Sequence, residues 1–114
     1  MAYIYIVRCE DDSLYTGITK DLGKRMKSHA HGSGKTHAKY MRSHTPKELM
    51  AVWQTEEYKV AAKLEYAIKK KLTRQQKLWL IDNRASVKEL FPDLEEFDFV
   101  PLDGLTLEGV LGDE

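Results

Sequence analysis

The chain has a single cysteine, Cys9. No disulfide can form within it, and zinc sites built from paired cysteines are excluded. A lone thiol in a strand-like stretch reads as a small packed residue, and it fits a reducing compartment, so the expected location is the cytoplasm. Long apolar runs are missing too. The longest, Met1 to Val7, is seven residues, where a membrane-spanning helix needs about 20. The start of the chain has no charged stretch ahead of a longer apolar one, as a secretory leader would. Net charge is also absent, with 18 Lys and Arg against 18 Asp and Glu. The balance hides a split. Residues 1–81 hold sixteen basic and eight acidic residues, a surplus of +8, and residues 82–114 hold two and ten, a surplus of −8. A basic body points to a polyanionic partner, and an acidic tail to a screened or regulated one.

What is present suits one globular domain. The chain has 114 residues and is 42% hydrophobic, enough for a modest core. Tyr3-Ile4-Tyr5-Ile6-Val7-Arg8-Cys9 is β-branched and aromatic, without Gly or Pro. Glu10 to Ser13 is a polar turn, and Leu14 to Thr19 is strand-like again. Two such runs so close together predict an antiparallel hairpin. Period-2 alternation sets Ile4 and Ile6 on one face and Tyr3 and Tyr5 on the other, with Tyr15 pointing opposite to Leu14 and Thr16. The aliphatic face is the expected core face, which leaves the phenols where water or a substrate reaches them.

The next segment, Asp21 to His29, reads as a helix with Thr19 or Asp21 as its N-cap. Leu22 and Met26 share one stripe, Arg25 and His29 another. The strand-to-helix turn at Gly17 therefore gathers a Tyr, an Arg and a His. Together they offer a base or nucleophile, a cation for a phosphate, and a proton carrier, the parts of a phosphodiester site.

The remaining elements follow from pattern. Leu49 to Thr55 is a third strand run after Pro46, and a three-stranded sheet needs a helical cover. Tyr58 to Leu72 supplies it, with Val60, Leu64, Ile68 and Leu72 recurring every four residues. Glu65 is the only acid between Glu57 and Asp82, and an intrahelical pair with Lys69 accounts for it. Thr73-Arg74-Gln75-Gln76 is a capping box opening a last short helix, in which Trp79 and Ile81 are expected to finish the core. The fold class is thus α+β: a three-stranded antiparallel sheet flanked by helices at roughly 21–29, 58–72 and 74–82. Between the second and third strands, Ala30 to Pro46 is a basic segment that starts as a loop, with a short helix expected over Thr36 to Arg42, and it holds His31, His37 and His44. Their spacing fits no standard metal motif, and they read as phosphate-facing.

These residues resemble the GIY-YIG nuclease domain, in the form found in small single-domain bacterial proteins. Tyr3-Ile4-Tyr5 stands for the first tripeptide, with Tyr for the usual Gly, and Tyr15-Thr16-Gly17 for the second. Arg25 falls ten residues after Tyr15, and His29 one helical turn later. The likeness runs to about Ile81. It implies catalytic roles for Tyr5, Tyr15, Arg25 and His29, and makes Glu65, within Ala61-Ala62-Lys63-Leu64-Glu65-Tyr66-Ala67-Ile68-Lys69, the ligand of one divalent ion, Mg²⁺ or Mn²⁺. Asn83, the single asparagine, stands at a shifted position for the asparagine that often ends the site. The basic segment would border the site, so that Lys35, His37, Lys39, Tyr40 and Arg42, with Lys24 of the preceding helix, contact substrate.

The implied protein is a metal-dependent DNA endonuclease, its domain at 1–83 and an acidic extension at 84–114. Two rivals differ in class: a nucleic-acid-binding module without turnover, and an adaptor whose acidic tail holds a basic partner protein. For Tyr15 to act, nearby positive charge must lower its pKa from about 10, a task for Arg25, the ion and neighbouring lysines. The tail is expected to weaken nucleic-acid binding by lying near the basic face, or else to be structural, with Phe91, Phe97 and Phe99 plugging the core.

Overall fold

A computed structural model of the protein describes residues 1–31 and 45–111, the side chains of 28–31 excepted. Strands β1 (Ala2–Cys9) and β2 (Leu14–Thr19) form the hairpin. Its turn closes through Cys9 N–H to the Ser13 carbonyl (2.9 Å). Asp12 takes φ 70° there, a conformation that aspartate tolerates better than most residues. Helix α1 (Leu22–His31) follows. Asp21 is its N-cap, accepting from the Lys24 amide at 3.0 Å, while the Thr19 hydroxyl braces Asp21 at 3.1 Å. Then come β3 (Pro46–Thr55), α2 (Tyr58–Lys71) and α3 (Arg74–Asp82). The capping box at Thr73 and Gln76 is formed in both directions. No helix among the described residues is long and apolar enough to cross a membrane.

The sheet has four strands, not the expected three, in the order β2-β1-β3-β4 and antiparallel throughout. The fourth, β4 (Val100–Pro101), comes from the tail and pairs with Trp53 and Gln54. A two-residue strand ending in proline leaves no periodicity to read, and proline is admissible there only because β4 is an edge.

The expectation of one core face also fails. Tyr5 is fully buried, not left on a water face. One core joins Ile4, Ile6, Ala51 and Trp53 to Ala61, Leu64 and Ile68 of α2 and to Leu80 and Ile81 of α3. A second core, on the opposite face, joins Tyr5, Val7, Leu49 and Val52 to Met26 of α1. Tyrosines alternating with isoleucines look like an amphipathic strand. In fact their rings supply the apolar area of the second core.

The tail completes both cores. After Arg84–Ser86, a 3₁₀ turn, come α4 (Val87–Leu90) and a second 3₁₀ turn at Pro92–Leu94. Val87, Phe91 and Leu94 are buried in the first core, and Phe97 and Phe99 pack at its rim, edge to face with centroids 6.5 Å apart. The Leu102 amide then donates to the Val52 carbonyl (2.9 Å), and α5 (Leu107–Leu111) brings Leu107 into the second core beside α1. Trp79 does not finish the core as expected: it is 43% exposed. In this short helix Leu80 and Ile81 turn inward instead, and the indole volume is supplied by Trp53, whose Nε1–H donates to the Arg84 carbonyl at 2.8 Å.

Candidate functional site

The two faces of the sheet meet at β2, its outermost strand among the described residues. There the register sets Tyr5 directly across from Gly17, and Val7 across from Tyr15. Residues opposite one another share a face, so Tyr5, Tyr15 and Gly17 lie together on the side covered by α1. Gly17 is required by contact. A Cβ on it would sit 2.6 Å from Tyr5 Cζ and 3.1 Å from a Tyr15 ring carbon. With only hydrogen at that position, the Tyr5 phenol lies across the β2 backbone and the Tyr15 ring settles beside it, centroids 6.3 Å apart and tilted by 42°.

Two charges act on this pair from opposite sides. Arg25, half-buried on α1, favours the ionised form of both phenols, and Glu65 on α2 disfavours it. The net direction is upward for both. Burial is the largest cause in each case, followed by the other tyrosine for Tyr5 and by Glu65 for Tyr15. The lowering expected for Tyr15 is therefore present in kind, through Arg25, but desolvation and the carboxylate outweigh it in the free protein.

Glu65 leans on Lys69 one turn along α2, Nζ to Oε2 3.5 Å. The same Nζ stands 5.2 Å from the centre of the Tyr15 ring. Glu65 Oε2 therefore lies no farther than about 8.7 Å, the sum of those separations, from the Tyr15 ring centre. Helix α2 covers one face of the sheet and Tyr15 lies on the other, so Lys69 joins them at the β2 edge.

Beside this group lies a cavity of about 410 Å³ lined by Thr19, Lys20, Asp21, Lys24, Arg25 and Tyr58. Lys20 Nζ stands over the Tyr58 ring at 5.6 Å, and Tyr58 also acts electrostatically on Tyr5. Lys20, Tyr58 and Lys69 were not among the site residues expected from sequence. Lys69 was visible only as the partner of Glu65; Lys20 and Tyr58 carry no pattern, because the junctions ahead of α1 and α2 bring them together.

The other expected residues divide. Lys24 lines the cavity. His29 lies on α1 one turn beyond Arg25, with its side chain outside the described residues, as are Lys35, His37, Lys39, Tyr40 and Arg42. Asn83 Nδ2 donates to the Trp79 carbonyl at 2.8 Å, so its side chain caps α3.

Among the described residues no group of three or more His, Cys, Asp or Glu could hold a metal ion. A cage of protein ligands is thus not available there. A single carboxylate does suit Mg²⁺, which keeps several waters and takes the rest of its octahedron from substrate oxygens. The Glu65 side chain, 22% exposed and only loosely paired, fits that requirement.

Residues 1–78 match the family model described as the GIY-YIG catalytic domain. The UPF0213 protein CPE1444 of Clostridium perfringens is 48% identical over 89 residues, covering 78% of this chain and 90% of that protein. A UPF0213 protein of Staphylococcus aureus is 44% identical over 82 residues, covering 72% and 95%. The solution NMR structure of the UPF0213 protein BH0048 from Bacillus halodurans matches with a TM-score of 0.47 at 32% identity, covering 79% of this chain and 93% of that one.

Proposed function

Because this chain belongs to the GIY-YIG catalytic-domain family, we propose that it is a metal-dependent endonuclease. It would hydrolyse phosphodiester bonds of DNA in the cytoplasm, in repair, recombination or processing. The observation that carries the reading is the pair of tyrosines packed over Gly17 in the opposed fields of Arg25 and Glu65. A structural tyrosine pair needs neither charge.

Each residue then has a task. Tyr15, the more exposed phenol, takes the proton of the attacking water or attacks phosphorus itself. Tyr5, a phenol that is protonated at neutral pH and whose pKa burial raises further, donates its hydroxyl hydrogen to the water or to a phosphate oxygen. Arg25 clamps the phosphate with a planar fork that a lysine lacks. Glu65 holds one Mg²⁺ or Mn²⁺. When bound, the ion supplies positive charge against the phosphate oxygens and offsets the carboxylate that raises the Tyr15 pKa. His29 carries a proton towards the leaving oxygen. Lys24, Lys35, His37, Lys39 and Arg42, with the Tyr40 hydroxyl, bind flanking phosphates.

The test is incubation of the protein with single-stranded, duplex and branched DNA, with Mg²⁺, with Mn²⁺, and with chelator. Cleavage of at least one substrate in the presence of an ion alone supports the reading. Tight binding without cleavage under every condition would leave a nucleic-acid-binding module instead.

A further inference from the structure

One basic residue in contact with both the carboxylate and the tyrosine is not among the site residues expected from sequence. Lys69 lies one turn beyond Glu65 on α2. Its ammonium is 3.5 Å from Glu65 Oε2 and 5.2 Å from the centre of the Tyr15 ring. Two features of this placement matter. The separation from the carboxylate exceeds the roughly 2.7–2.9 Å of a tight charge-assisted hydrogen bond, and the Lys69 side chain is 39% exposed. Such pairs are weak and easily exchanged. The ammonium also stands over the Tyr15 ring, a cation–π position. The upward shift of that hydroxyl has burial as its first cause and Glu65 as its second, with Arg25 opposing them. Lys69 is thus placed to neutralise Glu65 and rest on Tyr15, and not to activate the phenol where it stands.

We propose that Lys69 is the displaceable counter-ion of this site: its ammonium neutralises Glu65 in the free protein, yields the carboxylate to a divalent cation, and is thereby released towards the incoming phosphate. The proposal rests on the reading of Glu65 as the ion's ligand. Its physical basis is competition. A divalent ion on the Glu65 carboxylate competes with the ammonium for the same negative charge, and two positive charges a few ångströms apart repel. The flexible four-carbon stem of lysine lets the charge leave without moving the helix. The cation displaced from Glu65 then lies within one side-chain length of Tyr15, where the reacting phosphate would sit.

The experiment is Mn²⁺ binding by titration calorimetry, without nucleic acid, on the wild-type chain, Lys69→Met, Lys69→Arg and Glu65→Gln. Melting curves check that each variant is folded, and Lys69→Gln replaces Lys69→Met if the latter is not. Lys69→Met is expected to bind Mn²⁺ several-fold tighter, roughly three- to tenfold, as removal of a half-exposed competing charge implies. Lys69→Arg, which keeps the charge, is expected to stay within about twofold of wild type, and Glu65→Gln to lose most of the binding. In the wild type, the Lys69 side-chain NMR signals are expected to shift on addition of Mg²⁺ alone. Lys69→Met binding Mn²⁺ no tighter than wild type, while Glu65→Gln abolishes binding, would overturn the counter-ion role and leave the metal reading intact. Glu65→Gln binding as well as wild type would overturn both.

Discussion

The two edges of the sheet are treated differently. On the β3 side, the tail adds β4 and lays Phe97 and Phe99 against the first core. On the β2 side no strand follows among the described residues. There the helices of the two faces, α1 and α2, bring Arg25 from one and Glu65 and Lys69 from the other to a pair of tyrosines. A sheet edge is ordinarily a liability because its backbone groups invite pairing. Here one edge is capped by the chain itself and the other holds a group of charged residues. On the proposed reading the labour is divided: stability concentrates where the tail closes the sheet, and chemistry at the β2 edge.

Substitutions at each edge test that division. In the tail that caps the sheet, Phe91 is almost fully buried in the first core, and Phe91→Ala should cost about 3–5 kcal/mol of stability by denaturant melts. A loss below about 1 kcal/mol would make the tail ornamental. Deleting residues 84–114 removes Val87, Phe91, Leu94 and Leu107 together, so the truncated chain should melt much lower or aggregate. At the β2 edge, Arg25→Ala should lower the cleavage rate by about 10²-fold or more with little change in melting. Gly17→Ala lies between the two. The new methyl meets a fully buried ring, and overpacking of this kind costs about 1–3 kcal/mol while displacing both tyrosines, so stability and activity should fall together.

The pH dependence follows from burial. Tyr5 has its pKa raised in the folded state, so the folded chain holds this proton at pH values where the unfolded chain has released it. The resulting stability is fully present below the ordinary tyrosine pKa of about 10 and is lost as pH rises through the folded value. Tyr5→Phe should therefore flatten the alkaline limb of the stability curve; an unchanged limb would assign it to other groups. The smallest expected effect concerns charge. Since truncation removes core, screening by the tail is better tested by neutralising its exposed acids. Glu95→Gln, Glu96→Gln and Asp98→Asn together should tighten DNA binding a few-fold at low salt, and the gain should vanish as salt rises. Equal affinity at every salt concentration would end the screening idea.

The sequence made the hairpin and three helices legible because each carries a strong local signal: β-branched runs around a polar turn, the Asp21 and Thr73 caps, and the four-residue apolar repeat of α2. Strand and helix periods also gathered a tyrosine and Arg25 near the start of the first helix, whereas Glu65 joined them only through the resemblance to the GIY-YIG domain. The second core was illegible because a tyrosine that packs its ring and one that displays its hydroxyl leave the same alternation. The fourth strand was illegible because Val100 and Pro101 gain their identity from Trp53 and Gln54, not from their own neighbours in sequence. The contact of Lys69 with Tyr15 depends on side-chain reach across the sheet edge, which no one-dimensional period encodes.

The most direct test of the division measures two quantities on the same three proteins, wild type, Arg25→Ala and Phe91→Ala: the rate of ion-dependent DNA cleavage per folded molecule and the melting temperature. Arg25→Ala should lose cleavage and keep its melting temperature, while Phe91→Ala should melt well below wild type and cleave at the wild-type rate where it remains folded. Cleavage that survives Arg25→Ala unchanged, or is lost in folded Phe91→Ala, would contradict the assignment of chemistry to the β2 edge and stability to the one the tail closes.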